Sequence, residues 1–523
     1  MRTLFKGATI VDGTGRGAYR GDLLVEGGTI QAIGCLEGVQ GEHTYECRGL
    51  VLAPGFIDMH AHSEVFVLND PPMGAKIGQG ITTEFGGNCG IGAYPSIADD
   101  PLATEVLGSS PRQYWPTFGA YTEAWKRSGS GVNMGFFQAH GPLRNRALGE
   151  GASRMATADE VKRMEDLLEE SLEGGVWGLS TGLYYEPCYS ASTEELVALA
   201  RLVARYDRLL AVHLRCEGNT VVESLEEMIQ IARESGVRLE VSHLKAIGRE
   251  NQHLAPRLLT LIDRANSEGL EVTFDQYPYL WGSTSLFSLL PPQFLAYERT
   301  ELQRRLKDTA QRAAMRALME EGEGWDSIAR LAGFDGITIL SLPSHPHLEG
   351  RSIAEIAAAQ DTDPYDALFD ILSTGEGSAV MGDVTQSEEN LARIMSHPGM
   401  CFGSDALYGG SRPHPRSFNA ALHLIGRYVN ETHTLTLEEA VTRLSGRSAT
   451  RLGLADRGFV REGYKADLVL FDPARLNGDL ALTKGSTSPL DLVMVNGEVA
   501  LEGGKLTGMT SGELLVPLTD CSG

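Results

Sequence analysis

The chain has 523 residues, 42% hydrophobic and 22% charged, which is ordinary for a globular protein. Its net charge of −24, from 69 acidic against 45 basic residues with no long Lys/Arg block, argues against a nucleic-acid surface and serves solubility instead. No apolar run approaches the roughly 20 residues that span a bilayer, so no membrane partner is expected. The opening "MRTLFKGATIVDGTGRG" lacks a signal peptide's apolar core and cleavage site. Cysteines at 35, 47, 89, 188, 216, 401 and 521 are few, odd in number and scattered, so a disulfide framework is not expected and a reducing cytoplasm is.

In chain order, residues 1–53 read as short alternating strands such as "TIQAIG". The pattern returns in 455–523 with "ADLVLFDP" and "LVMVNGEVALEGGKL", which predicts one small β-sandwich domain built from both termini. Between them, residues 54–454 alternate apolar strands with amphipathic helices. In "TADEVKRMEDLLEESLEGG", Thr157 and Glu160 have capping-box spacing, Val161, Met164, Leu168 and Leu172 share a face, and Gly174 ends the helix. Ser192 and Glu195 open another helix.

Eight candidate strands fall near 55–62, 81–89, 132–140, 175–181, 209–215, 238–244, 270–277 and 400–405. Eight βα units favour a closed TIM-type (β/α)8 barrel over an open sheet. The stretch 285–346 is too long for a βα loop. With "PPQF" and the charged helix pattern "ERTELQRRLKDTAQRAAMRALMEEG", it reads as an inserted cap on the barrel mouth.

"GFIDMHAH" ends the first strand with His60 and His62, two residues apart and therefore on one side. His213 in "AVHLR", His243 in "EVSHLK" and Asp405 in "MCFGSD" end the fifth, sixth and eighth strands. Cys89, in the glycine-flanked "FGGNCGIG", ends the second. A free cysteine usually fills a gap, and a lone histidine is usually structural. Six metal-competent side chains at strand C-terminal ends, where such barrels keep their chemistry, point instead to zinc. His43, His253 and His433 lack that placement and read as structural.

These residues resemble the amidohydrolase superfamily of metal-dependent barrel hydrolases. Most of its binuclear members bridge their metals with a carboxylated lysine on the fourth strand. Here no lysine lies between Lys162 and Lys245, so "GGVWGLSTGLYY" cannot supply one and Cys89 is the available bridge. "QGITTEFGGNCGIG", "AHGPLR", "STGLYYEP", "SHLK", "YPYLWGSTSL", "GSDAL", "HPRSF" and "ADRGFVREGYKADLVLFDP" together resemble the N-acyl-D-amino-acid deacylases (D-aminoacylases) over nearly the whole chain.

That resemblance implies a tight Zn2+ site at Cys89, His213 and His243. A second, weaker site would comprise His60, His62, Asp405 and the shared Cys89. It implies hydrolysis of N-acyl-D-amino acids by metal-activated water, with Asp405 as general base and acid. For the substrate carboxylate, Arg416, eleven residues beyond Asp405 on the loop after the eighth strand, is expected at the rim, with Lys245 facing the mouth. Tyr277 and Ser283 match positions that touch substrate, and Tyr277 could also polarise the scissile carbonyl.

Cys188 stands in "YYEPCYSAS" where the family carries glycine; it is expected to be a loop residue beside the side-chain pocket rather than a ligand. Other readings stay open. One is another amidohydrolase, such as a deacylase restricted to acidic D-amino acids or a D-configured dipeptide hydrolase; the missing fourth-strand lysine weighs against a cyclic-amide hydrolase or an isoaspartyl-dipeptidase-like enzyme. A further one is a non-catalytic barrel scaffold.

Overall fold

The computed structural model describes residues 2–96, 101–108, 114–149, 151–322, 324–374, 379–408, 412–480 and 482–518. Cys521 lies outside them; the other six cysteines are free thiols. No helix among the described residues is long and apolar enough to cross a membrane.

Eight parallel strands form the barrel: Phe56–Asp58, Ile81–Gly86, Asn133–Phe136 continued by Gln138–Ala139, Gly178–Gly182, Leu209–His213, Arg238–Val241, Val272–Gln276 and Met400–Phe402. The eighth closes on the first, with Met59 N donating to Phe402 O at 3.0 Å and Asp405 N to His60 O at 2.7 Å. Nearly every strand residue is buried, because helices cover one face and the opposite face fills the barrel. This is the expected (β/α)8 fold.

Local signals place the helices. Ala158–Glu173 starts from a complete capping box, with both the Thr157 and Glu160 bonds formed, and stops at Gly174. At Thr193–Arg205 the Ser192 hydroxyl accepts from Glu195 N. The Glu195 carboxylate turns instead to His140, at 2.9 Å, and to Arg144.

The chain's two ends share one nine-stranded sheet. Its junction is the antiparallel pairing of Leu468–Phe471 with Val51–Pro54, and Phe5, Leu23, Leu52, Leu468 and Met494 belong to a core of its own.

Between the seventh and eighth strands lies a three-stranded antiparallel sheet, with Val380–Val384 between Trp281–Ser285 and Ile337–Ser341. Its strands reach beyond 285–346 at both ends. The charged helix pattern divides into Arg299–Arg305 and Thr309–Glu321, because Asp308 caps the second helix through Gln311 N. Leu286, Phe287, Met315, Met319, Phe369 and Met381 form a separate core there.

Candidate metal centre

The barrel carries its polar side chains to one rim. His60 and His62 follow the first strand, and both reach Asp405 Oδ1 through Nε2, at 3.5 and 3.2 Å. Cys89 Sγ lies 3.2 Å from His60 Nε2 and 3.5 Å from His243 Nε2. His213 Nδ1 stands 2.9 Å from His243 Nε2. Two donor sets result, His60/His62/Cys89/Asp405 and Cys89/His213/His243; in each, the ligand atoms lie within 4.8 Å of one another. Cys89 belongs to both.

Backbone geometry aims these side chains. Cys89, His243 and Asp405 have φ of 53°, 34° and 51°, a left-handed region that non-glycine residues seldom occupy. The glycine after Cys89 is required by contact: a Cβ on Gly90 would lie 2.6 Å from Gly182 N.

Electrostatics separate the groups. Burial, the largest influence, holds His213 and His243 well below the ordinary imidazole pKa and lowers His62 as well, which leaves neutral donors. Burial also opposes charge on His60, yet Asp275 and Cys89 outweigh it and raise its pKa well above the usual value. Asp275 ties the set together, with Oδ2 at 3.1 Å from His60 Nδ1 and Oδ1 accepting from His243 N at 2.9 Å. Burial raises the Cys89 thiol, with His60 opposing. For Asp405 burial is overcome by Arg416 and the histidines, which hold the carboxyl well below its usual range.

The pocket above this rim is lined by Lys245, Tyr277, Ser283 and Arg416, so the structure brings every expected site residue together. Arg416 differs from expectation in one respect: it opens a helix rather than lying on a loop, and it is fully buried. The start of helix Arg416–His423 packs it against the Tyr277 ring at 4.8 Å. Its guanidinium pairs with Asp405 Oδ2 at 2.8 Å and donates to Ser283 O at 3.1 Å, while Nε has no partner among the described residues. Lys245 Nζ meets Glu217 Oε1 and His243 Nδ1, each at 2.7 Å.

Cys188 is buried and turned towards His140. Burial there works against charge on His140, but Cys188 and Glu195 push its pKa up to about 9. The neighbouring Tyr184 and Tyr185 do line the pocket.

Sequence reasoning missed Asp275 and Glu217, which lie on the seventh strand and in the loop after the fifth. It also missed a buried cluster beneath the rim, where Lys76 Nζ contacts Asp58 at 2.5 Å, Glu84 at 3.1 Å and Ser404 Oγ at 3.1 Å. Asp58, in "GFIDMHAH", was legible as an acidic residue two positions before His60.

Comparison with known proteins fits this geometry. The pattern described as "Amidohydrolase family" matches residues 43–500. A D-aminoacylase from Alcaligenes xylosoxydans xylosoxydans is 32% identical, over 98% of this chain and 97% of its own. An N-acyl-D-aspartate deacylase from the same organism is 33% identical over 98% and 95%. The crystal structure of N-acyl-D-glutamate deacylase from Bordetella bronchiseptica, complexed with zinc and a phosphonate mimic of the tetrahedral intermediate, superposes with a TM-score of 0.85. It is 32% identical and covers 98% of this chain and 99% of its own. Extending over nearly the full length in sequence and in fold, these likenesses show that the chain belongs to the amidohydrolase family.

Proposed function

We propose that this protein hydrolyses the amide bond of N-acyl-D-amino acids in a zinc-dependent reaction, giving a carboxylic acid and a free D-amino acid. The observation that carries the reading is the pair of donor sets sharing Cys89. Imidazole, thiolate and carboxylate suit zinc, and the neutral His213 and His243 are in the state that metal binding requires. Cys89, His213 and His243 would hold the tighter ion, and Cys89, His60, His62 and Asp405 the weaker one. Zinc supplies, when bound, Lewis acidity and a water acidified towards a pKa of ~7.

The chain's own groups do the rest. Asp405, ionised and with Oδ1 towards the donor sets, is the general base that takes a proton from the attacking water. The same Oδ1 returns the proton to the departing amine nitrogen. Arg416 fixes the carboxylate through Oδ2, and its unpartnered Nε, with Lys245 and Tyr277, holds the substrate's α-carboxylate. Ser283 adds a hydroxyl that has no partner among the described residues. Tyr277 Oη, buried in the same pocket, is also placed to polarise the scissile carbonyl.

Chelator treatment followed by zinc repletion tests this reading. Loss and recovery of D-methionine release from N-acetyl-D-methionine support it, and release that persists in the stripped protein refutes it.

A further inference from the structure

The pocket over the donor sets is unevenly charged. Its lining holds two cations, Lys245 and Arg416, against four carboxylates, Glu217, Asp326, Asp383 and Asp405. Both cations are matched, Lys245 to Glu217 at 2.7 Å and Arg416 to Asp405 at 2.8 Å. Asp326 accepts the backbone N–H groups of Glu217 and Gly218. Asp383 accepts only the Thr385 hydroxyl, at Oδ1 and 2.9 Å, and has no ion pair among the described residues.

Sheet register keeps the other oxygen of Asp383 open. Asp383 pairs with Gly282, where a Cβ would stand 3.2 Å from Asp383 Oδ2 and 3.4 Å from Tyr277 Oη. Any larger side chain at 282 would fill the space before that carboxylate. The next residue, Ser283, presents to the same pocket a buried hydroxyl oxygen with no partner among the described residues. The buried Asp383 carboxylate feels the charges of Lys245 and Arg416 but pairs directly with neither, and a ligand cation would supply that direct partner.

We propose that this recess is the side-chain subsite and that it selects N-acyl-D-amino acids with a cationic side chain, such as lysine, ornithine or arginine, with Asp383 as the counter-ion. The inference rests on the deacylase reading above. An acidic side chain would meet Asp383 and Asp326, with Lys245 and Arg416 already engaged by Glu217, Asp405 and the α-carboxylate, and an aliphatic one would desolvate the carboxylate without compensating it.

The test compares kcat/KM of the zinc-loaded full chain for N-acetyl-D-lysine, N-acetyl-D-norleucine and N-acetyl-D-glutamate; norleucine keeps the lysine stem without the charge. Lysine is expected to exceed norleucine by about tenfold, with glutamate slowest. Asp383→Asn should lower the lysine-to-norleucine ratio by about tenfold, through KM for the lysine substrate. Norleucine or glutamate outrunning lysine in the wild type, or an unchanged ratio in D383N, overturns the proposal while leaving the deacylase reading intact. No D-amino acid released from any of the three overturns that reading, and the inference with it.

Discussion

Asp405 and Arg416 form a buried ion pair, 2.8 Å between carboxylate Oδ2 and guanidinium, which leaves Oδ1 to face His62 and His60 at 3.2 and 3.5 Å. One carboxylate thereby answers to a fixed cation on one side and to the donor sets on the other. Burial alone would raise its pKa, and Arg416 is the largest influence in the opposite direction.

Removing that cation should therefore move the acid limb of activity. In Arg416→Ala the Asp405 pKa rises, so the fraction in the basic form falls at acidic pH and the limb of the kcat–pH profile shifts to higher pH. KM for carboxylate-bearing substrates rises with it. Steady-state kinetics from pH 5 to 9, roughly the range where such limbs are read, check both. An unmoved limb would free Asp405 from its dependence on Arg416.

Zinc content separates the donor sets. Cys89→Ala removes the one ligand common to both and should leave the protein with little zinc and no turnover. Asp405→Asn keeps Cys89, His213 and His243, so it should retain the tight ion while losing about 10²–10⁴-fold in kcat. Elemental analysis beside kinetics distinguishes them. Full zinc in the cysteine variant would remove Cys89 from the centre.

Asp275 orients rather than ligates, since it accepts from the His243 backbone and meets His60 Nδ1 at 3.1 Å. Asp275→Asn should weaken the His60-containing site by about 10–100-fold and spare the tight one. Metal titration with the tight site already filled reads this directly. Equal affinity in variant and wild type would reduce Asp275 to a packing role.

The ligand candidates were legible because each closes an apolar strand pattern: His213 ends "LLAVH", and His60 and His62 follow "GFID". A barrel gathers such ends on one rim whatever their distance along the chain. Asp275 also sits on a strand, but an acidic residue there has many ordinary uses, and its contact with His60 spans 215 positions. The burial of Arg416 was illegible for a related reason: nothing local in "HPRSF" reveals that Tyr277 and Ser283 of the seventh βα unit close over it. Asp383 arrives from the last strand of a sheet whose register with Trp281–Ser285 no local pattern encodes. The break in the charged helix was readable, because Asp308 has the N-cap chemistry that divides it.

Beneath the rim, Lys76 is fully buried between Asp58 and Glu84 and bonds Ser404, beside Asp405. Lys76→Met leaves two carboxylates without their cation and should cost about 3–5 kcal/mol of stability. Equilibrium denaturation of the zinc-free variant and wild type isolates this from metal binding. Equal midpoints would show that the cluster contributes nothing net to folding.

The central claim is hydrolysis of N-acyl-D-amino acids at a zinc centre built on Cys89. Its most direct test is chiral analysis of the amino acids released by zinc-loaded protein from racemic N-acetyl amino acids of apolar, basic and acidic side chain. The account predicts D-enantiomers alone, with the matching L-substrates left intact. Release of L-amino acids, or no release at all from protein with measured zinc at the Cys89, His213 and His243 site, would contradict it.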